Sequence, residues 1–262
     1  MSRKSLSLPT KATYTALTSW SFSVYTQYLK CPLSVCFEKI QKIRITEPPN
    51  PFFAKGDCAH ATAEQYVTGT GRAPALKITL PPVEPGGQEI KVDLTSVKPL
   101  LVQLRKRKDV VTEQEWAFTR EWKPTGWFDK DAWLRMKTDV CGHTLVPPTV
   151  DIIDWKTGKI HVEDHQLQRS LYGLGGLLLV KLGVLAGGSK DVKLTAKHVY
   201  IDGGATATEV FTMKDLEPLR RGWLARIEYM MKDTQYPAKP SSMNCRFCKF
   251  SSKRGGPCKE GK

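Results

Sequence analysis

Residues 149–156, Thr-Val-Asp-Ile-Ile-Asp-Trp-Lys, limit the folds open to this chain more than any other segment. They are rich in β-branched residues and are followed by a Thr-Gly turn signal, so they predict a strand. Because side chains alternate between the two faces of a strand, Asp154 and Lys156 should share one face. Trp155 and Asp151 should point to the other face.

A second candidate strand, residues 132–140, carries Asp139 next to its end. Pairing of the two strands would bring Asp139 and Asp154 to one point, where two carboxylates suit a hard cation such as Mg²⁺ or Mn²⁺. Lys156 beside them would orient an attacking water and stabilise charge developing on a phosphate. A surface ion pair at a strand end is the alternative interpretation of so short a motif.

The size and charge of the chain narrow the class of partner. Its 262 residues are 40% hydrophobic and carry a net charge of +14. Such a chain can form one large domain with a core, and its charge favours a polyanion, most commonly nucleic acid. Residues 1–9 lack an apolar core of signal-peptide length, and the apolar stretch 171–185 is too short to span a bilayer. We therefore expect a cytoplasmic protein without a membrane partner.

Periodicity and turn signals predict an ordered alternation of helices and strands. Helices are expected over 22–43 (broken near Pro32), 53–67, 97–108, 162–185 (frayed at Gly175-Gly176) and 216–232. Strands are expected over 110–120, 132–140, 150–156, 192–202 and 209–213. The domain prediction is a flexible basic arm over 1–17, one domain over 18–235, and a cysteine-bearing segment over 236–262 that packs with the N-terminal helix.

Three motifs resemble those of the RecB-like nucleases of the PD-(D/E)XK superfamily. They are Gly-x-x-x-His-x-x-x-Glu over residues 56–64, Asp-Trp-Lys-Thr-Gly-Lys over 154–159, and Gln-x-x-x-Tyr over 168–172. Their order and spacing fit over roughly residues 19 to 258, although Thr138 replaces the proline that gives the superfamily its name. The resemblance implies an α/β fold with a restriction-endonuclease-like αβββαβ core, a mixed sheet flanked by helices, with N-terminal helices and a cysteine-bearing tail.

The resemblance also implies roles for individual residues. His60, Asp139, Asp154 and the backbone carbonyl of Trp155 would hold Mg²⁺ or Mn²⁺, and Asp139, Asp154 and Lys156 would be catalytic. Gln168 and Tyr172 would hold the DNA backbone or brace Lys156. The alternatives are a structural histidine, a helix-capping polar contact for the glutamine and a core position for the tyrosine. Glu113 and Glu115 share one face of their predicted strand, so one of them would reach the cation through water; surface exposure or pairing with Arg105 or Arg107 is the alternative.

Seven cysteines in a chain without an export signal favour metal ligation over disulfides. Cys245, Cys248 and Cys258 supply three thiolates. The CRISPR-associated and AddB-type members of the family carry an iron–sulfur cluster, and their first cluster cysteine matches Cys31. The resemblance thus implies a 4Fe–4S cluster on these four residues, with Cys36 as the runner-up for the fourth ligand and zinc as the alternative metal.

The activity implied is a metal-dependent DNA exonuclease acting on single strands or duplex ends. The setting would be recombination, repair, or phage or CRISPR DNA processing, and a phage-encoded origin fits that setting. A non-catalytic DNA-binding subunit and a structure-specific endonuclease are the alternatives. Residues 105–108, Arg-Lys-Arg-Lys, either contact phosphates or form a solvated face. The side chains that either stack on bases or pack within the protein are Trp20, Trp116, Trp122 and Trp127.

Overall fold

The computed structural model describes residues 13–260, apart from the side chains of Val162 and Asp164. The chain divides into two compact units. Of the described residues, those up to Glu47 and those from Ala225 onward form one, and Pro48–Leu224 form the other. Residues 1–12 of the expected basic arm lie outside the described part, and the predicted domain boundaries stay a prediction. Within residues 13–260, no helix has the length and apolar character needed to cross a bilayer.

The larger unit is built on a six-stranded mixed sheet in the order β4-β3-β5-β6-β7-β8. The β6 and β7 strands are parallel and the other neighbours are antiparallel. Their bounds are β3 Val110–Phe118, β4 Pro124–Thr125, β5 Leu134–Leu145, β6 Pro148–Lys156, β7 Lys193–Tyr200 and β8 Thr206–Phe211. The predicted α/β fold is thereby confirmed. The β5 strand continues five residues beyond the predicted end at residue 140.

One face of this sheet is covered by α3 (Pro51–Thr68), α4 (Lys98–Arg105) and a hairpin of β1 (Lys77–Leu80) and β2 (Ile90–Asp93). The small residues Ala59 and Ala63 on α3 are fully buried in the same apolar cluster as Val140, Ile153 and Trp155 of the sheet. Small side chains let α3 lie close to the strands, which brings its polar residues near the strand ends.

The other face is covered by α5 (Val162–Lys181). A Cβ atom at Gly175 would lie 2.5 Å from Met136 Sδ, and one at Gly176 would lie 2.5 Å from Leu194 Cδ1. These glycines therefore let the helix approach the sheet more closely than alanine would. The predicted fraying at this position is wrong, because α5 continues through both glycines and ends at Lys181.

The smaller unit joins the two ends of the described chain. It contains α1 (Phe22–Lys30), α2 (Pro32–Val35), a π-helical turn (Cys36–Ile40) and α7 (Ser242–Arg246), while α6 (Leu216–Lys232) contains the boundary between the units. Tyr28 donates a hydrogen bond of 2.5 Å to Asp233. Glu38 pairs with Lys39 at 2.7 Å and with Lys249 at 3.1 Å. These contacts hold the N-terminal helices against the C-terminal segment.

Candidate metal centre and active site

Three side chains from three elements of the larger unit meet at the predicted cation site. They are His60 of α3, Glu113 of β3 and Asp139 of β5, and each offers a ligand atom within 4.8 Å of the other two. His60 Nδ1 lies 3.3 Å from Asp139 Oδ1. Among residues 13–260 this is the one such group of three or more His, Cys, Asp or Glu residues. Its nitrogen and oxygen donors fit a divalent cation such as Mn²⁺ or Mg²⁺.

Glu113 reaches this group because, next to it, β3 and β5 switch which of their alternate side chains face α3 and which face α5. Met136 faces α5, whereas Val140 packs on the side of α3, although both positions are even-numbered on β5. The β3–β5 register is the same on either side of this change, and Glu113 lies within it with a φ of 52°. Such a φ is uncommon outside glycine and concentrates at functional sites. Sequence reasoning had no signal for this change and left Glu113 and Glu115 equivalent.

The two predicted aspartates come together where β5 and β6 separate. The β5–β6 ladder ends at the pair Val140–Ile153, so Asp139 and Asp154 lie just past it. Asp139 Oδ2 accepts a hydrogen bond of 2.6 Å from the backbone N–H of Trp155, whose ring is buried against α3 and α4. This bond holds the Asp139 carboxylate beside the end of β6. The ligand role predicted for the Trp155 carbonyl oxygen stays a prediction.

Asp154 lies on the α5 face and is surrounded by side chains that fix its carboxylate. Lys156 Nζ lies 2.5 Å from Oδ2, so the two residues share a face as the strand alternation predicted. The Tyr172 hydroxyl donates to Oδ1 at 2.5 Å, and Gln168 Nε2 lies 3.5 Å from the same oxygen. Gln168 also donates to the tyrosine oxygen at 2.9 Å. Asp154 itself is only 6% exposed.

Comparison with known proteins assigns the chain to a family. The model of the PD-(D/E)XK nuclease superfamily matches residues 19–252. The chain belongs to the PD-(D/E)XK nuclease superfamily. Among solved structures it is similar to SSO0001, with 14% sequence identity and a TM-score of 0.40 over 94% of this chain and 87% of that chain. A search of curated proteins returned no significant match.

At this PD-(D/E)XK site the pKa values of the two aspartates shift in opposite directions. Burial raises the pKa of Asp139, and the hydrogen bond from His60 opposes that rise without cancelling it. Burial alone would lower the pKa of His60, but the Asp139 carboxylate raises it above its ordinary value. The pair therefore retains a proton readily, and a cation binding there must displace it.

Asp154 behaves in the opposite way. Burial alone would raise its pKa, but the Lys156 ammonium and the hydrogen bond from Tyr172 hold the pKa of Asp154 below its ordinary value. Burial and the adjacent carboxylate raise the pKa of Tyr172 well above its usual range, so its hydroxyl remains a donor. Asp154 thus stays ionised while Tyr172 supplies a proton to its hydrogen bond.

The four predicted cluster cysteines all belong to the smaller unit. The Cys248 thiol lies close enough to Cys31 and Cys258 for both to raise its pKa, although burial is the larger cause. Cys31 Sγ accepts from the backbone N–H of Lys239 at 3.5 Å. Among the described residues, these thiols are not gathered at the 4.8 Å spacing of one ion's ligands. A cluster with several irons between the thiolates needs a wider spacing than a single ion.

Several other residues that were candidates for DNA contacts have structural partners. Arg105 donates to the carbonyl oxygens of Tyr66 and Gly71, at 3.1 and 2.5 Å, and Arg107 pairs with Asp109 and Asp151. Two of the four basic side chains at 105–108 therefore already have partners within the protein. Three of the four candidate stacking tryptophans are buried, namely Trp20, Trp116 and Trp122.

Proposed function

We propose that this chain is a divalent-cation-dependent deoxyribonuclease that hydrolyses phosphodiester bonds, and that it acts as an exonuclease. Its membership of a nuclease superfamily supports hydrolysis of nucleic acid. The observation that carries the proposal is the His60–Glu113–Asp139 donor group lying beside the Asp154–Lys156 pair. The Lys156 ammonium, 2.5 Å from the buried Asp154 carboxylate, favours catalysis over DNA binding alone.

In this proposal each residue of the site has one task. His60, Glu113 and Asp139, whose ligand atoms lie within 4.8 Å of one another, bind the cation, and Asp154 is the further carboxylate ligand in this proposal. Bound Mg²⁺ or Mn²⁺ lowers the pKa of water and polarises the phosphate. Lys156 orients the water that attacks phosphorus and stabilises the negative charge that develops there. The water oxygen forms the new P–O bond, a bridging P–O bond breaks, and the leaving oxygen takes a proton.

Two exposed aromatic residues support a substrate with unpaired bases. Phe52 and Phe53, at the start of α3, are 77% and 65% exposed. Phe53 lies seven residues before His60 and hence on nearly the same helix face, about 10 Å along the axis. Bases of single-stranded DNA stack on aromatic rings irrespective of sequence. We infer that the strand entering the site places its bases against these two rings.

The experiment that tests the activity compares substrates with and without ends. End-labelled single-stranded DNA, end-labelled duplex and a closed circle are incubated with the protein and Mg²⁺ or Mn²⁺. We expect both end-bearing substrates to be degraded and the circle to survive. Asp154→Ala and Lys156→Ala should abolish degradation while leaving the fold intact. Cleavage of the circle would indicate an endonuclease, and DNA binding without any cleavage would indicate a non-catalytic subunit.

We also propose that Cys31, Cys245, Cys248 and Cys258 hold a 4Fe–4S cluster that cross-links the two ends of the chain. Four thiolates suit either this cluster or zinc. Anaerobically purified protein should be brown and carry about four irons per chain, and Cys245→Ala should bleach it and expose both ends to protease. Cys58→Ala, outside the group, should do neither. Colourless protein with one zinc per chain would show that the four cysteines bind zinc and not an iron–sulfur cluster. Protein without any metal would refute both metals.

A further inference from the structure

A line of polar side chains leads away from Asp154 through the buried residues His198 and Arg169. His198 of β7 is the parallel-strand neighbour of Asp154 and is fully buried. Its Nδ1 lies 3.3 Å from the guanidinium of Arg169, which is 7% exposed. Arg169 in turn lies 3.5 Å from Glu209. The line runs from a carboxylate on β8, through α5, to the carboxylate at the proposed cation site.

The contact with Arg169 determines which ring nitrogen of His198 carries the proton. An arginine guanidinium has only donors and remains protonated in proteins, so His198 Nδ1 must be the acceptor. A neutral imidazole that accepts at Nδ1 carries its proton on Nε2. Nε2 lies 3.9 Å from Asp154 Oδ2 and has no hydrogen-bond partner among the described residues. The imidazole therefore presents one donor, and that donor faces Asp154.

We propose that His198 is a positioning residue whose Nε2–H, held in that tautomer by Arg169, orients the Asp154 carboxylate for the cation. The inference rests on the proposed function, in which Asp154 binds that cation. The 3.9 Å separation is longer than a hydrogen bond, and an inward shift of under about 1 Å completes one. Tyr172 holds Oδ1 and Lys156 lies at Oδ2, and His198 adds a second donor directed at Oδ2 from β7.

The tautomer itself gives a direct test that does not depend on activity. Imidazole ¹⁵N shifts, measured on protein labelled at histidine, distinguish an Nε2-protonated ring from an Nδ1-protonated one. We expect the Nε2-protonated form for His198 in the wild-type protein, and a larger Nδ1-protonated fraction in Arg169→Met because the group that requires an acceptor at Nδ1 is gone. An Nδ1-protonated ring in the wild-type protein would overturn the inference.

A matched pair of substitutions tests the orienting role. In His198→Gln the side-chain amide nitrogen reaches the position of Nε2, whereas in His198→Asn it reaches only that of Nδ1. Loss of a group that orients a metal ligand typically weakens metal affinity about 10–100-fold. We expect that loss of Mn²⁺ affinity in the asparagine variant, and its rescue in the glutamine variant. His143→Asn is the control, because His143 accepts from Ala186 N–H at a distant part of β5.

Mn²⁺ affinity is measured by calorimetry without DNA, and thermal unfolding is recorded for every variant. Equal Mn²⁺ affinities for the glutamine and asparagine variants would refute the orienting role, whatever their stability. Asp154→Asn is measured alongside them. If it binds Mn²⁺ as the wild type does, the proposed cation site is wrong, which distinguishes failure of the proposed function from failure of this inference.

Discussion

The hydroxyl group of Tyr172 provides the sharpest test of the site. It is buried, it donates to Asp154 Oδ1 at 2.5 Å, and it accepts from Gln168 at 2.9 Å. Tyr172→Phe removes this one oxygen and keeps the ring that packs between α5 and the sheet. The Asp154 carboxylate then loses its strongest hydrogen bond from α5, and Gln168 loses an acceptor.

The expected magnitude follows from the kind of bond that is lost. A hydrogen bond to a charged group contributes about 1.5–3 kcal/mol, which for a chain of this size corresponds to a fall in Tm of about 3–12 °C. Loss of the group that orients a metal ligand weakens metal binding about 10–100-fold, or about 1.4–2.8 kcal/mol.

Differential scanning calorimetry without metal measures the first effect, and Mn²⁺ titration calorimetry measures the second. Tyr236→Phe is the matched control, since Tyr236 is also buried and donates to a neutral acceptor, the Thr15 carbonyl oxygen, at 3.0 Å. That variant should lose about 0.5–1.5 kcal/mol of stability and keep its Mn²⁺ affinity. If Tyr172→Phe also keeps wild-type Mn²⁺ affinity, Tyr172 does not orient a metal ligand and the proposed site must be redrawn.

Three further predictions address other parts of the molecule. Glu113→Gln should weaken Mn²⁺ binding by about tenfold or more whereas Glu115→Gln should not, and equal calorimetric affinities would remove Glu113 from the ligand set. Phe53→Ala should raise KM for single-stranded DNA with kcat retained, and a similar rise for Phe128→Ala, whose side chain is also exposed, would show that the effect is not local. Burial opposes ionisation of Glu38, but its two lysine partners lower its pKa to about 2, so its contribution to stability is present above its ordinary pKa of 4.5 and is lost as pH falls toward 2. The difference in Tm between the wild type and Glu38→Gln should therefore shrink over that interval, and a constant difference would contradict the ion-pair explanation.

Much of the fold was predictable because its signals are local. The strand at residues 149–156 follows from β-branched residues and a turn signal, and α3 and α5 follow from their helical periodicity. Strand alternation alone placed Asp154 and Lys156 on one face, where the structure has them 2.5 Å apart. Helical spacing likewise placed Gln168 beside Tyr172.

The remainder depends on contacts between segments far apart in the chain. The place of Glu113 depends on a simultaneous phase change in β3 and β5, which neither strand's sequence specifies by itself. Gly175 and Gly176 suggest fraying locally, yet contact with Met136 and Leu194 makes them necessary for close packing. Whether Arg107 faces DNA or Asp151 is likewise decided by what the fold brings next to it.

The sequence by itself determined the elements, their order and the family motifs, because these depend on residue type and on spacing within one segment. Only the tertiary structure decided which polar groups share a site and what each one touches. His198 illustrates the difference: no local signal marks it, and its tautomer is set by Arg169 on one side while Asp154 lies on the other. The physical reason is that the direction of a buried hydrogen bond depends on every group around it. Here Asp154, Arg169 and His198 come from three separate segments of the chain.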